Sequence, residues 1–483
     1  MVTAASAIKL PKDELRWRSV SLTDVLAHGL RLDGGFYNTG GWHARQKLNR
    51  CKWPIGYITG ENGIASSFYP PRFKRIMVKK SEYPLILPSQ IEEVNPKPKG
   101  YLSRLCDTNF DTLKAKKGQI LMTRSGTVGN CRLVSDIISG QTISDDIIRI
   151  ICKKEQDTGY LYAYLRTETG KALVQSSEYG AVISHIEPDH LESVPIPNPP
   201  AALKKRIHEL VIRSYALRDR ANSLLDTAEQ LFCEALNLPP LAKLRPAYFD
   251  KSTDLRNWTV NFSDYAGRLD ASYHVPIANS ILRRMKKEAA EMTTVGDDRI
   301  SRRIILPGRF PRVYVQEGQG GVPSFGGKQI HEIDPINKKY LSRKHHRERI
   351  ERELALNENM VMITRSGTIG KVTIVPKHWA GWTANEHIIR VVPATPEVAG
   401  YLYVFLQSDY GHELITRFTY GSVVDEIDDT HVAKIPVPLL KDAKKQNKIS
   451  RLALEANAKR TEAYEVEQEA IRITNEEVIY AMR

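Results

Sequence analysis

The heptapeptide TRSGTVG occupies residues 123–129, and TRSGTIG occupies residues 364–370, 241 positions later. These strings are the visible part of a longer duplication. Offsetting the chain by 241 aligns 121–197 with 362–438 without a gap, and 26 of the 77 pairs are identical, spread over the whole window. GYLYAYL (159–165) falls on GYLYVFL (400–406), and TISDDIIRI (142–150) on TANEHIIRV (383–391). SEYGAVISHIEPDHLESVPIP (177–197) falls on FTYGSVVDEIDDTHVAKIPVP (418–438). Upstream the offset slips by two residues twice, as changes of loop length would cause. QIEEVNPKPKGYLSR (90–104) then meets QIHEIDPINKKYLSR (329–343), and RLDGGFY (31–37) meets RLDASYH (268–274). The chain is two copies of one design, the first from about Leu15 to Leu238 and the second from about Leu255 to Arg483.

Each copy has a mixed part and a helical part, which makes the fold class α+β. The mixed part, some 180 residues in each copy, holds short β-branched runs (GQILMTR, DIIRIIC, VMITR, HIIRVV) broken by Gly and Pro, the pattern of strands and turns. GYLYAYLRTETGKALVQ reads as a short helix. In 203–235, Leu203, Leu210, Leu217, Leu224 and Leu231 recur every seven residues, alternating with Ile207, Ser214, Ala221, Ala228 and Ala235. The second copy offers Ile449, Leu452, Ala456, Lys459, Ala463, Val466, Ala470, Ile473 and Tyr480, with Lys459 interrupting. The small residues let two helices approach closely, so one intramolecular antiparallel coiled coil is expected. Two amphipathic helices packed separately on their own domains are the alternative. PIPNPPAAL (195–203) and IPVPLL (435–440) end the mixed parts as extended exits, since proline disfavours αR geometry just before it. LPPLAKLRPAYFD (238–250) links the first helix to the second copy. The boundaries expected are 1–198, helix 199–237, linker and second domain 238–438, and helix 439–483.

A formal net charge of +14 favours an acidic partner such as nucleic acid. The five cysteines, Cys51, Cys106, Cys131, Cys152 and Cys233, are odd in number and form no CxxC, which argues against a disulfide framework or a zinc site. The N-terminus lacks a long apolar core and no apolar run reaches membrane-spanning length, so a cytoplasmic protein is expected.

Enzyme motifs appear only as near misses. Asn198-Pro199-Pro200 approaches the NPPY/F loop of adenine methyltransferases, but Ala201 stands where an aromatic should stack on the base. GGVPSFGGKQ (320–329) fails the spacing of a phosphate loop, with Gln329 where Ser or Thr should hold Mg²⁺. His345 and His346 lie in a basic run, SRKHHRER. His190 and His431 recur at equivalent places, where a structural hydrogen bond outweighs chemistry. No cofactor or metal is expected in the chain.

Two copies with RSGT[VI]G in the middle, an IP[IV]P exit and a long following helix resemble the specificity (S) subunit of type I restriction–modification systems, or a type IIB-like relative. The resemblance covers nearly the whole chain. It implies two tandem target-recognition domains in pseudo-twofold repeat, each reading one half of a bipartite site in double-stranded DNA. It also implies two long helices that space the domains and dock partner subunits. Those partners would be DNA adenine methyltransferase (M) subunits, which bind S-adenosylmethionine, with a motor-nuclease (R) subunit as a further candidate. The chain itself would be non-catalytic. The Arg31–Asp33 and Arg268–Asp270 elements find no place in the family pattern. A stand-alone sequence-specific DNA-binding regulator or architectural protein, and an enzyme built from unfamiliar residues, remain open.

Half-sites generally differ, so residues identical in both copies should serve what the copies share: folding, phosphate contact or partner docking. Gly126 and Gly129 permit a tight turn that could aim backbone N–H groups and the hydroxyls of Ser125 and Thr127 at a phosphate, with Arg124 adding charge. Arg365, Ser366, Gly367 and Thr368 repeat the set. A structural hairpin with the arginine in a buried ion pair is the competing expectation. Base readers belong where the copies differ, at 38–70 against 275–307 and 105–118 against 344–359. Arg45, Lys47, Asn49, Arg50 and Lys52, and Arg283, Arg284, Lys286 and Lys287, have suitable types for major-groove edges, although a solvated helix face explains them equally. PPRFKRIMVKK (70–80), with Arg72, Lys74 and Arg75, reads as a phosphate-tracking strand. Leu210, Leu217, Leu224, Leu231, Leu452 and Val466 are the expected partner-binding positions on the helices.

Overall fold

The duplication extends to the register of the backbone hydrogen bonds. The computed structural model describes residues 20–27, 30, 40–98, 100–176, 184–244, 258–262, 265, 267–421 and 424–481. The first copy's 31–33 element, its 179–180 Tyr-Gly pair and the linker end at 245–250 lie outside the described residues. The chain divides into unit 1 (Met1–Ile91, Pro98–Ile212, Glu467–Arg483) and unit 2 (Glu92–Lys97, Arg213–Val466).

In unit 1, α1 (Gly40–Asn49) precedes β1 (Ile55–Tyr57), β2 (Ala65–Phe68), β3 (Ile120–Thr123), β4 (Cys131–Leu133) and β5 (Ile147–Cys152). There follow α2 (Glu155–Arg166), α3 (Glu168–Gln175), β6 (Pro195–Pro197) and the long helix α4 (Ala201–Ala235). Four strands form an antiparallel sheet in the order β2-β5-β3-β4, while β6 pairs with β1. Unit 2 repeats this plan. After α5 (Pro276–Glu288) come β7 (Glu291–Thr294), β8 (Ser301–Ile305), β9 (Val361–Thr364), β10 (Val372–Ile374), β11 (Ile388–Pro393), α6 (Pro396–Gln407), α7 (Asp409–Thr416), β12 (Pro436–Leu439) and α8 (Ala443–Ile473). The sheet order is β8-β11-β9-β10, and β12 pairs with β7. Phe68 faces Arg149 across the first sheet, and Ile305 faces Arg390 across the second.

The recurring motifs have structural explanations. Tyr160 Oη donates to Pro197 O at 2.6 Å and Tyr401 Oη to Pro438 O at 2.6 Å, so the GYLY helix holds the proline exit in both copies. Proline has no N–H to give, and its carbonyl is satisfied from the side. Gly159 lets the long helix approach, because a Cβ there would lie 2.6 Å from His208 Cα; at Gly400 it would lie 2.4 Å from Ser450 O. The DIIRI strand and its counterpart HIIRV each bury an arginine completely. Arg149 donates to the carbonyls of Ile147, Ile143 and Leu113 at 2.9, 3.0 and 3.2 Å, and Arg390 to those of Ile388 and Ala384. Each guanidinium gathers carbonyls of its own sheet edge and neighbouring turn.

In unit 1 Arg206 of α4 pairs with Glu477, in the helical turn that follows α8, at 3.1 Å. In unit 2 the helices run antiparallel, since Arg213 pairs with Glu462 at 2.8 Å while Ala221–Phe232 share a core with Ile449–Ala456. Half of the expected seam is buried, namely Ile207, Ser214, Ala221 and Ala228, with Ile449, Ala456, Ala463 and Ala470. Ala235, at the end of that row, is only partly buried. Ile473 of the other row is buried as expected, but the rest of it is displaced by one residue. The buried row is Lys204, Val211, Arg218, Leu225 and Phe232, and in α8 it begins Ala453, Arg460 and Glu467. Leu203, Leu210, Leu217, Leu231, Leu452, Lys459 and Val466 are only partly buried, whereas Leu224 is buried beside the seam. The shift follows from polar residues that the core satisfies. Lys204 reaches Asp157 at 3.2 Å, Arg460 donates to Tyr403 Oη at 3.2 Å, and Glu467 accepts from Tyr162 Oη at 2.5 Å. Among the described residues no helix is long and apolar enough to cross a membrane.

Candidate nucleic-acid interface

The loop between β3 and β4 is built by Thr123, whose hydroxyl donates to Thr127 O and accepts from Asn130 N at 3.2 Å. Thr364 does the same with Thr368 O at 2.5 Å and Lys371 N at 3.0 Å. Gly126 and Gly367 take φ of +74° and +75°, the left-handed region that a side chain strains. Gly126, Thr127, Gly367 and Thr368 form the exposed tips.

The arginines of the motif turn inward. Arg124 is 4% exposed, pairs with Asp146 at 3.1 Å and with Glu187, and donates through Nε to Ile186 O at 3.3 Å. Burial opposes its charge, but Glu187 and Asp146 carry its pKa above the ordinary arginine value. Arg365 pairs with Glu426. This is the buried ion pair that competed with direct phosphate contact, and it corrects the expectation that these guanidinium groups face outward. An arginine this deep requires a carboxylate, and both carboxylates of the first copy lie on the protein side of the loop. The serines are also engaged. Ser125 Oγ lies 3.0 Å from Asp146 Oδ1 and 2.8 Å from His185 Nδ1, and Ser366 Oγ lies 2.7 Å from His387 Nδ1.

Between the copies, acid and histidine exchange places. At the offset of 241, Asp146 aligns with His387, and His185 aligns with Glu426. Backbone bridges join Ser125 to His185 and Ser366 to Glu426, so the exchanged pair flanks the same serine in both copies. A count of identities misses this relationship, because both positions differ.

The remaining candidates scatter. Arg75 is held by Asp145 at 2.5 Å and Ser144 at 3.0 Å, Lys74 is exposed, and Arg72 keeps 68% of its side chain exposed. Lys47 on α1 donates to Tyr480 Oη at 3.1 Å, and Arg45 reaches Ser193 O at 3.4 Å. Arg284 on α5 donates to Asn237 O at 2.9 Å, just past the end of α4, while Arg283 is exposed. Lys47 and Arg284 are thus each engaged within their own unit. His190 and His431 accept at Nδ1 from the backbone of Glu187 and Asp428, at 2.9 and 3.4 Å. Arg268 and Asp270 pair with each other at 2.7 Å.

No family profile matches the chain, and no curated protein does. Solved structures do. Over about 90% of its length the chain is similar to the type I restriction–modification S subunit from M. genitalium, at 13% identity, covering 96% of that chain with a TM-score of 0.33. The HsdS subunit from Thermoanaerobacter tengcongensis matches over 88% of this chain and 100% of its own, at 14% identity and a TM-score of 0.27. A chain from a structure of type I R-M complex assembly and conformational transition matches over 85% and 98%, at 15% identity and 0.27.

Proposed function

We propose that this chain is a DNA-specificity subunit that recognises a bipartite duplex target, one half-site per copy, and directs partner adenine methyltransferase subunits to it. The observation that carries the reading is the repetition of one scaffold with unlike outer segments. Both copies have the same four-stranded sheet order, the same RSGT loop and the same tyrosine-to-proline clasp. Yet the first copy's 105–118 contains a short turn of helix at Phe110–Leu113, while the second copy's 344–359 is mostly helical, with nine of its first ten residues cationic, histidine or acidic. A reader of two unlike half-sites needs a common frame and divergent contacts.

In this reading 1–198 and 238–438 are the recognition domains, and 199–237 and 439–483 the spacer and docking helices. The partly buried Leu217 and Val466 of unit 2, and separately Leu210 of unit 1, are the helix positions offered to the methyltransferases, which would carry S-adenosylmethionine and the transfer chemistry. A motor-nuclease subunit would join the same assembly. The test is co-expression with the methyltransferase from the same operon, followed by mapping of methylated adenines. Exchange of 15–198 for the same part of a relative should change one half of the methylated site and preserve the other. Changes in both halves would reject one reader per copy, and methylation that does not need this chain would reject the specificity role.

A further inference from the structure

A second repeated element lies outside the ungapped alignment. Strands β2 and β8 occupy equivalent places, since Phe68 and Ile305 face Arg149 and Arg390. At the offset this fixes, 237, Pro70-Pro71-Arg72-Phe73-Lys74-Arg75 meets Pro307-Gly308-Arg309-Phe310-Pro311-Arg312, a shared P-x-R-F-x-R.

Two of its side chains serve the fold. Phe73 packs against Leu85, Leu102, Cys106 and Leu113, and Phe310 against Val322, Leu341, Ile350 and Leu354. The second arginine pairs with an aligned acid in each copy, Arg75 with Asp145 and Arg312 with Glu386. The first arginine has no comparable duty. Arg72 is 68% exposed with Asp146 3.9 Å away, and Arg309 is 72% exposed with Glu426 3.5 Å away. Those carboxylates are already paired with the buried Arg124 and Arg365. They also come from positions that do not align, so the exposed arginine recurs over different local partners. An exposed pair of this kind adds little to stability.

What is constant in both copies, exposed and unnecessary to the fold should meet something constant outside the chain. Duplex DNA presents the same phosphodiester at both half-sites, whatever the bases, and a planar guanidinium suits a phosphate oxygen pair. The neighbourhood fits. Asp146 beside Arg72 also contacts Ser125 at 3.0 Å, and Glu426 beside Arg309 bridges Ser366, so each arginine stands one carboxylate away from an exposed Gly-Thr tip. We propose that Arg72 and Arg309 are equivalent phosphate grips, one in each copy, with the Gly126-Thr127 and Gly367-Thr368 tips beside them. This rests on the DNA-specificity reading above.

The experiment measures binding of the full chain, in complex with its methyltransferase, to the mapped target duplex across a salt series. Arg72→Ala and Arg309→Ala should each weaken binding several-fold and reduce the slope of log K against log salt by about 0.9, with the double variant losing about twice that. Arg72→Lys and Arg309→Lys should retain most of the slope. The loss should be the same on the target and on duplexes altered in either half-site, and the set of methylated sites should stay unchanged. Unchanged salt slopes, or loss of discrimination at one half-site only, would overturn the grip while leaving the wider reading in place. A wild-type complex with no target preference would overturn both. Unaltered thermal melting of the alanine variants separates lost contact from lost fold.

Discussion

The hydroxyl of Tyr160 donates to the carbonyl of Pro197 at 2.6 Å inside the protein, and it is the bond by which a helix secures an exit strand 37 residues away. Tyr401 and Pro438 reproduce it in the second copy. Tyr160→Phe keeps the ring and removes the donor, stranding a buried acceptor. We expect each of Tyr160→Phe and Tyr401→Phe to cost about 1–3 kcal/mol, read by urea denaturation of the full chain. A loss within error at both sites would show that the exits are held by their strand pairing alone.

Glycine at 159 and 400 is a matter of space, since neither residue has positive φ. Gly159→Ala and Gly400→Ala must push the long helix off its helix partner, and each should destabilise by about 1–3 kcal/mol. Gly308→Ala is the control, because its Cβ would meet nothing nearer than an Arg349 Nη2 at 3.5 Å, the far end of a flexible side chain. Equal melting of all three variants would remove the close approach as the reason for the repeated glycine.

Arg149 and Arg390 are charged groups given over to carbonyl oxygens. Burial pulls each pKa down to about 10, so both remain charged at neutral pH. Arg149→Met is close in length but leaves the carbonyls of Ile147, Ile143 and Leu113 without that donor. A loss of about 3 kcal/mol or more is expected for it and for Arg390→Met. Stability within 1 kcal/mol of wild type would mean that water or other donors replace the guanidinium.

Much of this architecture was legible because duplication doubles the signal. Strands such as ILMT and VMIT, and the IPIP and IPVP exits, are apolar, short and repeated, so pattern and repeat agree. The arginines of RSGT were not placed correctly, because a guanidinium at the end of a strand reads the same whether it faces solvent or Glu187. The helix seam was misread for a related reason. Lys204, Arg218, Arg460 and Glu467 are buried against Asp157, Tyr215, Tyr403 and Tyr162. A count of apolar residues passes over them and settles on the leucines one step to the side. The P-x-R-F-x-R pair is hard to see because its four identities lie at the offset of 237, outside the window that aligns without a gap at 241.

The corrected seam makes a direct comparison available. Ala456 is 1% exposed and part of the unit 2 core, whereas Lys459, which interrupts the leucine-type row, is partly exposed and bonded to Glu462 at 2.9 Å. Ala456→Leu should overpack the helix contact and cost about 1–3 kcal/mol. Lys459→Leu should change stability by no more than about 0.5 kcal/mol in either direction. A clear gain from Lys459→Leu would restore the leucine row as the true seam.

Unit 2 also carries a pH dependence set by two largely buried histidines. His378 stacks on Tyr464 at 4.2 Å between ring centres, and its Nε2 lies 2.9 Å from Ile333 O. Burial lowers its pKa to about 4, against the opposing pull of the Ile333 carbonyl and Asp334, with Lys338 and Arg218 adding to the depression. His331 is lowered to about 3, again chiefly by burial. The unfolded histidine has a pKa of about 6.5, so the unfolded chain takes up the proton first. Stability is therefore complete above about pH 6.5 and is lost as pH falls toward 4. Full protonation linkage at one site amounts to about 1.4 kcal/mol per pH unit, and residual solvent at the ring reduces it, so His378 should contribute about 1 kcal/mol of loss between pH 7 and pH 5. Urea unfolding followed by the fluorescence of Trp379 and Trp382 should show that loss in the wild type and a flatter profile in His378→Gln. The same slope in both proteins would assign the pH dependence to groups other than His378.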